Sequence, residues 1–220
     1  SLYIRPFLVG IGENLGLRPA PEFEFRVFVS PVGPYYKGGG LSLINLAVID
    51  LDRAAPKGLG AFKAGANYAG GLMATQMAQE MGAQEALYLD PVERRFLEEA
   101  GSANIVLKMK DGTIVTPQSD SILPSVTRRS VMTLAADVLG MKTESRPVEF
   151  LKEVADIEEF AACGTAAVIS PVGSIRAGDT WHRFYGNGEA IGPITQQLYD
   201  LLTAIQKGER EDSYEWTRAV

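Results

Sequence analysis

The sequence predicts an α+β fold in which many short strands are joined by turns and about three helices exceed two turns. Three observations predict it. Strand-type segments recur along the whole chain, as in residues 22–30, where Phe23, Phe25, Val27 and Val29 alternate with Glu24, Arg26 and Phe28. Turn signals such as Asp111-Gly112 and Ala177-Gly178-Asp179 separate successive strands. Helical spacing is confined to three longer stretches, so the chain lacks a regular strand–helix alternation.

In order, residues 2–9 are β-rich, apolar on both faces, with Arg5 in the middle. A glycine-rich loop over 10–21 leads to the strand of 22–30. Residues 30–40 set rigid prolines beside permissive glycines and the adjacent Tyr35 and Tyr36. Residues 41–51 read as a strand and 52–59 as a connection to Lys63. A helix over 69–81 carries Leu72, Met73, Met77 and Met81 and stops at Gly82. A short strand at 85–89 and a polar turn at 91–96 precede 98–104, read as a turn that holds Glu99. The strand 105–109 pairs through Asp111-Gly112 with 113–116. Pro124 and Ser125 are helix-start residues, and that helix runs to about Leu139, before Gly140. A strand at 146–148 and a short helix at 149–155 follow, and 156–162 mixes acidic and aromatic residues. The small-residue turn 163–167 enters a strand at 168–170. Gly192-Pro193 opens a last helix with Ile194, Leu198, Leu201, Leu202 and Ile205 on one face.

With 220 residues, 46% of them hydrophobic, the chain can bury a sizeable core as one large domain or two small ones. A net charge of −6 argues against charge-driven nucleic-acid binding. Cys163 is the only cysteine, which leaves no intramolecular disulfide and no cysteine metal cluster and fits a reducing cytoplasm. His182 is the only histidine, which argues against a multi-histidine metal site and against a Ser-His or Cys-His relay. No apolar run reaches transmembrane length and no signal peptide is visible, so no membrane partner is expected.

Four places could carry chemistry. Lys63 stands just before a small-residue turn, with Tyr68 five positions later at a helix start. A lysine on such a packed lead-in can be partly desolvated, as a Schiff-base lysine requires; a solvated surface lysine is the alternative. Glu99 is the second. The helix start at Val126-Thr127 and the turn Gly164-Thr165-Ala166 each offer backbone N–H groups and a hydroxyl, the donors that hold a phosphate; for either alone, a capping threonine or a tight turn is the alternative. Nucleotide-phosphate motifs are missing. A phosphate site without them, beside a candidate Schiff-base lysine, points to pyridoxal phosphate. That cofactor needs a lysine for its aldehyde, a carboxylate for its pyridine nitrogen and donors for its phosphate.

Six motifs in one order carry a resemblance: LYIRP at 2–6, SPVGPYY at 30–36, KAGANY at 63–68, EEAGSAN at 98–104, LPSVTRR at 123–129 and GTAA at 164–167. The chain resembles the large domain of the branched-chain aminotransferases, in the fold-type IV class of pyridoxal-phosphate enzymes. LYIRP and SPVGPYY favour that group over D-amino acid aminotransferases and aminodeoxychorismate lyases, which share the fold. The resemblance implies a mixed-sheet pseudo-barrel surrounded by helices, with residues 1–220 forming the cofactor-binding domain and the family's small N-terminal domain absent. It implies a Schiff base on Lys63, which also shuttles the substrate's proton, and Glu99 on the pyridine nitrogen. Tyr68 would bond the ring hydroxyl, and Val126, Thr127 and Thr165 would hold the phosphate. The amides of Ala166 and Ala167 would take the substrate carboxylate, while Tyr3, Arg5 and Tyr35 shape the substrate pocket. The implied substrates are leucine, isoleucine and valine, exchanged with glutamate and 2-oxo acids, in a homodimer. An inactive fragment is the rival from another class, since part of the family's cleft is missing. Two departures stand in the motifs: Ala66 and Ser125 replace usual glycines, and Ala66 would be strained if its position needed positive φ. Ala167 and Ser170 occupy the positions of a cysteine pair found in some relatives.

Overall fold

A computed structural model describes residues 2–33 and 40–218. The chain divides into two compact units, Ser1–Gly40 and Leu41–Val220. In the first, β1 (Leu2–Ile11) and β2 (Glu22–Pro31) form an antiparallel pair in which Tyr3 lies opposite Ser30 and Arg5 opposite Phe28. The apolar residues read on both faces of β1 stay largely exposed within the described structure, Leu2, Ile4 and Leu8 among them.

The second unit is built on a nine-stranded mixed sheet. Its strands are β3 (Ile44–Val48), β4 (Glu85–Leu89), β5 (Leu97–Ala100), β6 (Asn104–Met109), β7 (Ile114–Pro117), β8 (Thr143–Arg146), β9 (Ile157–Gly164), β10 (Val168–Ala177) and β11 (Thr180–Arg183). Eight follow the order β5-β4-β3-β10-β9-β6-β7-β8, and β11 pairs with β10 off that path. β3 runs parallel to both β4 and β10, and β7 parallel to β8; the other pairs are antiparallel.

The sheet curls until its ends meet. Leu97 of β5 donates its amide to the Val148 carbonyl, just beyond β8, at 2.9 Å, and Phe96 bridges to Glu149. Inside the curl, Leu87, Leu97, Leu107, Val115, Phe150, Phe160 and Ile175 share one buried core. The outer face packs on helices. α3 (Val126–Asp137) and α5 (Pro193–Gln206) cover Val106, Ile114, Ala161, Cys163 and Ile169. α2 (Gly71–Glu80), preceded by the short α1 (Gly65–Ala69), buries Ala74 and Ala78 against β3 and β4. β6 shows why: Ile105 and Leu107 face the inner core while Val106 faces the helices, the two-residue period of a strand covered on both sides.

The three long helices stand where the sequence puts them. The helix expected over 69–81 begins earlier, with α1, and its glycine end signal is real: Gly82 has φ +83°. Residues 156–162 prove to be most of β9. Its Phe160 enters the inner core and Ala161 and Cys163 the outer one, so burial on both faces erases any alternation. The strand at 168–170 extends to Ala177, the one at 41–51 contracts to β3, and that at 146–148 lies earlier, as β8.

Candidate active site

Lys63 ends a turn that Asn67 holds. The Asn67 side-chain amide donates to the Leu59 carbonyl at 2.8 Å and the Phe62 carbonyl at 3.1 Å, stitching the lead-in to α1. The Lys63 ammonium donates to the Tyr68 hydroxyl at 3.0 Å and stands 5.1 Å from the ring centroid. One expectation is corrected here. Lys63 is exposed, so its lead-in does not desolvate it. Ala66 lies inside α1 and is not among the residues with positive φ, so its methyl meets no backbone strain.

Tyr68 lines a cleft of about 220 Å³ with Arg53, Asn67, Thr75, Glu85 and Ser102. The wall at Ser102 is a two-residue turn, Gly101-Ser102, closed by hydrogen bonds from the Ala103 amide to the Ala100 carbonyl at 2.8 Å and from the Ala100 amide to the Ala103 carbonyl at 2.9 Å. Gly101 is required there: its φ is +54°, and a Cβ would run into the Glu85 carboxyl. The turn read over 98–104 is therefore shorter than expected, and Glu99 lies on β5, not in the turn.

Glu99 is 3% exposed. Its Oε2 lies 2.7 Å from Arg53 Nε, and its Oε1 accepts from Asn104 Nδ2 at 2.5 Å. The Leu123 amide also donates to it. Burial pushes the carboxyl up to about 7, against the opposing pull of Arg53. Neither Arg53 nor Asn104 was given a role by sequence reasoning. Arg53 sits in an aperiodic connection and meets its partner only through the fold; its one trace is a charge set among Ala54, Ala55 and Pro56.

Through Leu123, Glu99 touches the lead-in to α3. There Ser125, not Thr127, is the cap: its hydroxyl accepts from the Arg128 amide at 3.2 Å. The amides of Val126 and Thr127 precede the helix's own hydrogen bonding. Val126 is exposed and Thr127 partly buried. Through Asn104, Glu99 also neighbours the third element, since Asn104 pairs in register with Cys163. The following hairpin between β9 and β10 presents Thr165 and Ala166 at the surface with Ala167 partly buried, and Val168 closes it at φ +60°, a strained backbone for a β-branched residue. Cys163 is buried, its thiol pushed up to about 12 by desolvation, which makes it inert.

A run of contacts thus joins Lys63, Tyr68, the cleft, Arg53 and Glu99, and Glu99 in turn neighbours the start of α3 and the 164–167 turn. In the first unit, the Arg5 guanidinium donates to the Tyr3 hydroxyl at 2.8 Å, as two residues on one face of β1 can. Tyr35 lies outside the described residues. Among those residues no group of three or more His, Cys, Asp or Glu could hold a metal, and no helix is long and apolar enough to cross a membrane.

The residues present fit pyridoxal phosphate on one structural ground above others: a carboxylate buried as deeply as Glu99 gains from a cationic partner, which a protonated ring nitrogen supplies. A curled mixed sheet that places a lysine–tyrosine pair near such a carboxylate defines a class, and the chain belongs to it: the model of the class IV amino-transferase family matches residues 3–175. It is 47% identical to a branched-chain-amino-acid aminotransferase of Helicobacter pylori, over 98% of this chain and 62% of that protein. The chain therefore spans about three fifths of the length of that curated relative. The crystal structure of the Escherichia coli branched-chain amino acid aminotransferase superposes with a TM-score of 0.84 at 29% identity, covering 98% of this chain and 69% of that one. The Thermobaculum terrenum enzyme in its PLP form gives 0.79 at 27% identity, covering 95% and 65%. The α+β pseudo-barrel expected from the sequence is the fold of these structures.

Proposed function

We propose that residues 1–220 act as the cofactor-binding large domain of a pyridoxal-phosphate-dependent branched-chain aminotransferase, which exchanges the amino group of leucine, isoleucine or valine with 2-oxoglutarate. The observation that carries this is the buried Glu99 carboxylate, linked through Arg53 and the cleft to the Lys63–Tyr68 pair. When bound, pyridoxal phosphate supplies an aldehyde for amine exchange and a ring that accepts the electron pair left at the substrate's Cα.

The chain's own residues do the rest. Lys63 holds the cofactor's aldehyde and, once freed, carries the proton to and from the substrate's Cα. Tyr68 accepts a hydrogen bond from the lysine ammonium at its hydroxyl and so orients it, and the same hydroxyl would bond the ring hydroxyl of bound cofactor. Glu99 keeps the proton on the ring nitrogen. The amides of Val126 and Thr127, with the hydroxyls of Thr127 and Thr165, bind phosphate at a helix N-terminus and a tight turn. The amides of Ala166 and Ala167 take the substrate carboxylate. Tyr3, Arg5 and Tyr35 are assigned to substrate recognition by their motifs, with Arg5 the cation suited to glutamate's second carboxylate. The motif resemblance implies a homodimer, and a sequence with one cysteine fits a reducing cytoplasm.

Borohydride reduction of the protein incubated with pyridoxal phosphate tests the assignment. Peptide mapping should find the label on Lys63, and Lys63→Ala should abolish it; a label elsewhere sinks the site. Comparing L-leucine with D-alanine as amino donors then separates this reading from other enzymes of the fold.

A further inference from the structure

Arg53 is a buried arginine, 8% exposed, to which the preceding reading gives no chemical task. Its guanidinium serves three partners from separate segments. Nε lies 2.7 Å from Glu99 Oε2, while Nη2 donates to the carbonyls of Gly60, at 3.0 Å, and Ser121. The Nε contact is an ion pair rather than an aligned hydrogen bond. The segments at Gly60 and Ser121 pack backbone to backbone, since a Cβ on Gly60 would collide with Ser121. The guanidinium therefore stands on a rigid platform. Asn104 holds the other Glu99 oxygen, so the carboxylate is gripped at both ends.

We propose that Arg53 is the positioning residue that holds Glu99 aimed at the cofactor's ring nitrogen and favours its ionised form, an inference that rests on the proposed function above. The need for it is electrostatic. Burial favours the protonated carboxyl, and adjacent Glu98 adds a like charge. Against them stand Arg53, the Leu123 amide and the more distant Arg128 of α3, of which Arg53 is the largest. One proton is shared between the ring nitrogen and Glu99. If Glu99 keeps it, the ring loses its positive charge; Arg53 shifts the balance towards an anionic carboxylate and a protonated nitrogen. A planar guanidinium can meet the carboxylate with one edge and two carbonyls with another, which a lysine ammonium cannot.

The test uses cofactor-free protein. Infrared titration follows the carboxyl band that is present in the parent and missing in Glu99→Gln. In Arg53→Gln, which keeps an amide near the position of Nε but removes the charge, the midpoint should rise by about 1–3 pH units. Arg53→Lys should bring it part of the way back. A folded Arg53→Gln protein with the parent's midpoint overturns the proposal. Should that variant not fold, the double variant Arg53→Gln/Glu99→Gln decides: recovery of the fold once both charges are gone supports the pairing, and failure to recover makes Arg53 a structural bolt only. The borohydride label on Lys63 is read separately. Loss of the label with a shifted midpoint removes the ring-nitrogen partner but leaves the pairing, whereas a label with an unmoved midpoint removes the pairing alone.

Discussion

Glu99 gives the clearest consequence at the scale of one residue. Its carboxyl lies at about 7 in the folded protein, above the ordinary value of 4.5, with burial as the first cause. The folded state therefore binds this proton more tightly than the unfolded chain. The stabilisation is complete below pH 4.5 and is lost as pH rises through 7. Urea unfolding of the cofactor-free protein between pH 5 and 8 should show stability falling relative to Glu99→Gln, by on the order of 3 kcal/mol across the window. Parallel pH profiles for the two proteins would contradict the assignment. His182, by contrast, makes a packing contact from β11, meeting the Phe150 ring edge-on with the centroids 5.6 Å apart.

At the scale of elements, the starts of α3 and α5 make an instructive pair. α5 opens on Gly192, which offers no capping side chain. Glu159 of β9, 3% exposed, takes that role: its carboxylate accepts from the Ile194 amide at 3.1 Å and from the Thr195 amide and hydroxyl, each at 2.7 Å. A negative group also suits the positive end of the helix dipole. The start of α5 is thereby closed by a carboxylate from another element, whereas α3 is capped locally, by Ser125 at the Arg128 amide. Glu159→Ala should cost about 2–4 kcal/mol, measured as a lower urea midpoint, because one truncation strands the two buried donors of Thr195 and the partly buried Ile194 amide. Gly192 has to be glycine because a Cβ would enter the Glu159 carboxyl. The element ends were readable in sequence wherever a residue acts alone: Gly82, Gly112 and Gly178 all adopt the positive φ their turn positions imply. β9 was not readable, because its pattern reflects two cores rather than one.

At the scale of the whole second unit, stability depends on the seam where the curled sheet meets itself. Phe150, with no exposure, fills the inner core there and donates its amide to the Arg95 carbonyl at 2.9 Å. Phe150→Ala should cost about 3–5 kcal/mol in urea unfolding, because it leaves a cavity among residues drawn from both ends of the sheet. A much smaller loss would mean that the seam contributes little to the fold.

The sequence by itself determined the fold class, the three long helices, most turns, and the motifs that carry the family resemblance. These follow from side-chain period, caps and glycine conformations, which are settled within a few neighbouring residues. Only the tertiary structure decided that Glu99 stands on a strand, that Arg53 and Asn104 grip its carboxylate, and that Ser125 rather than Thr127 caps α3. It also closed β5 against the chain beyond β8. The reason is the same for the carboxylate and the seam: their partners are distant in sequence, and burial and charge pairing exist only after the sheet has curled around its core.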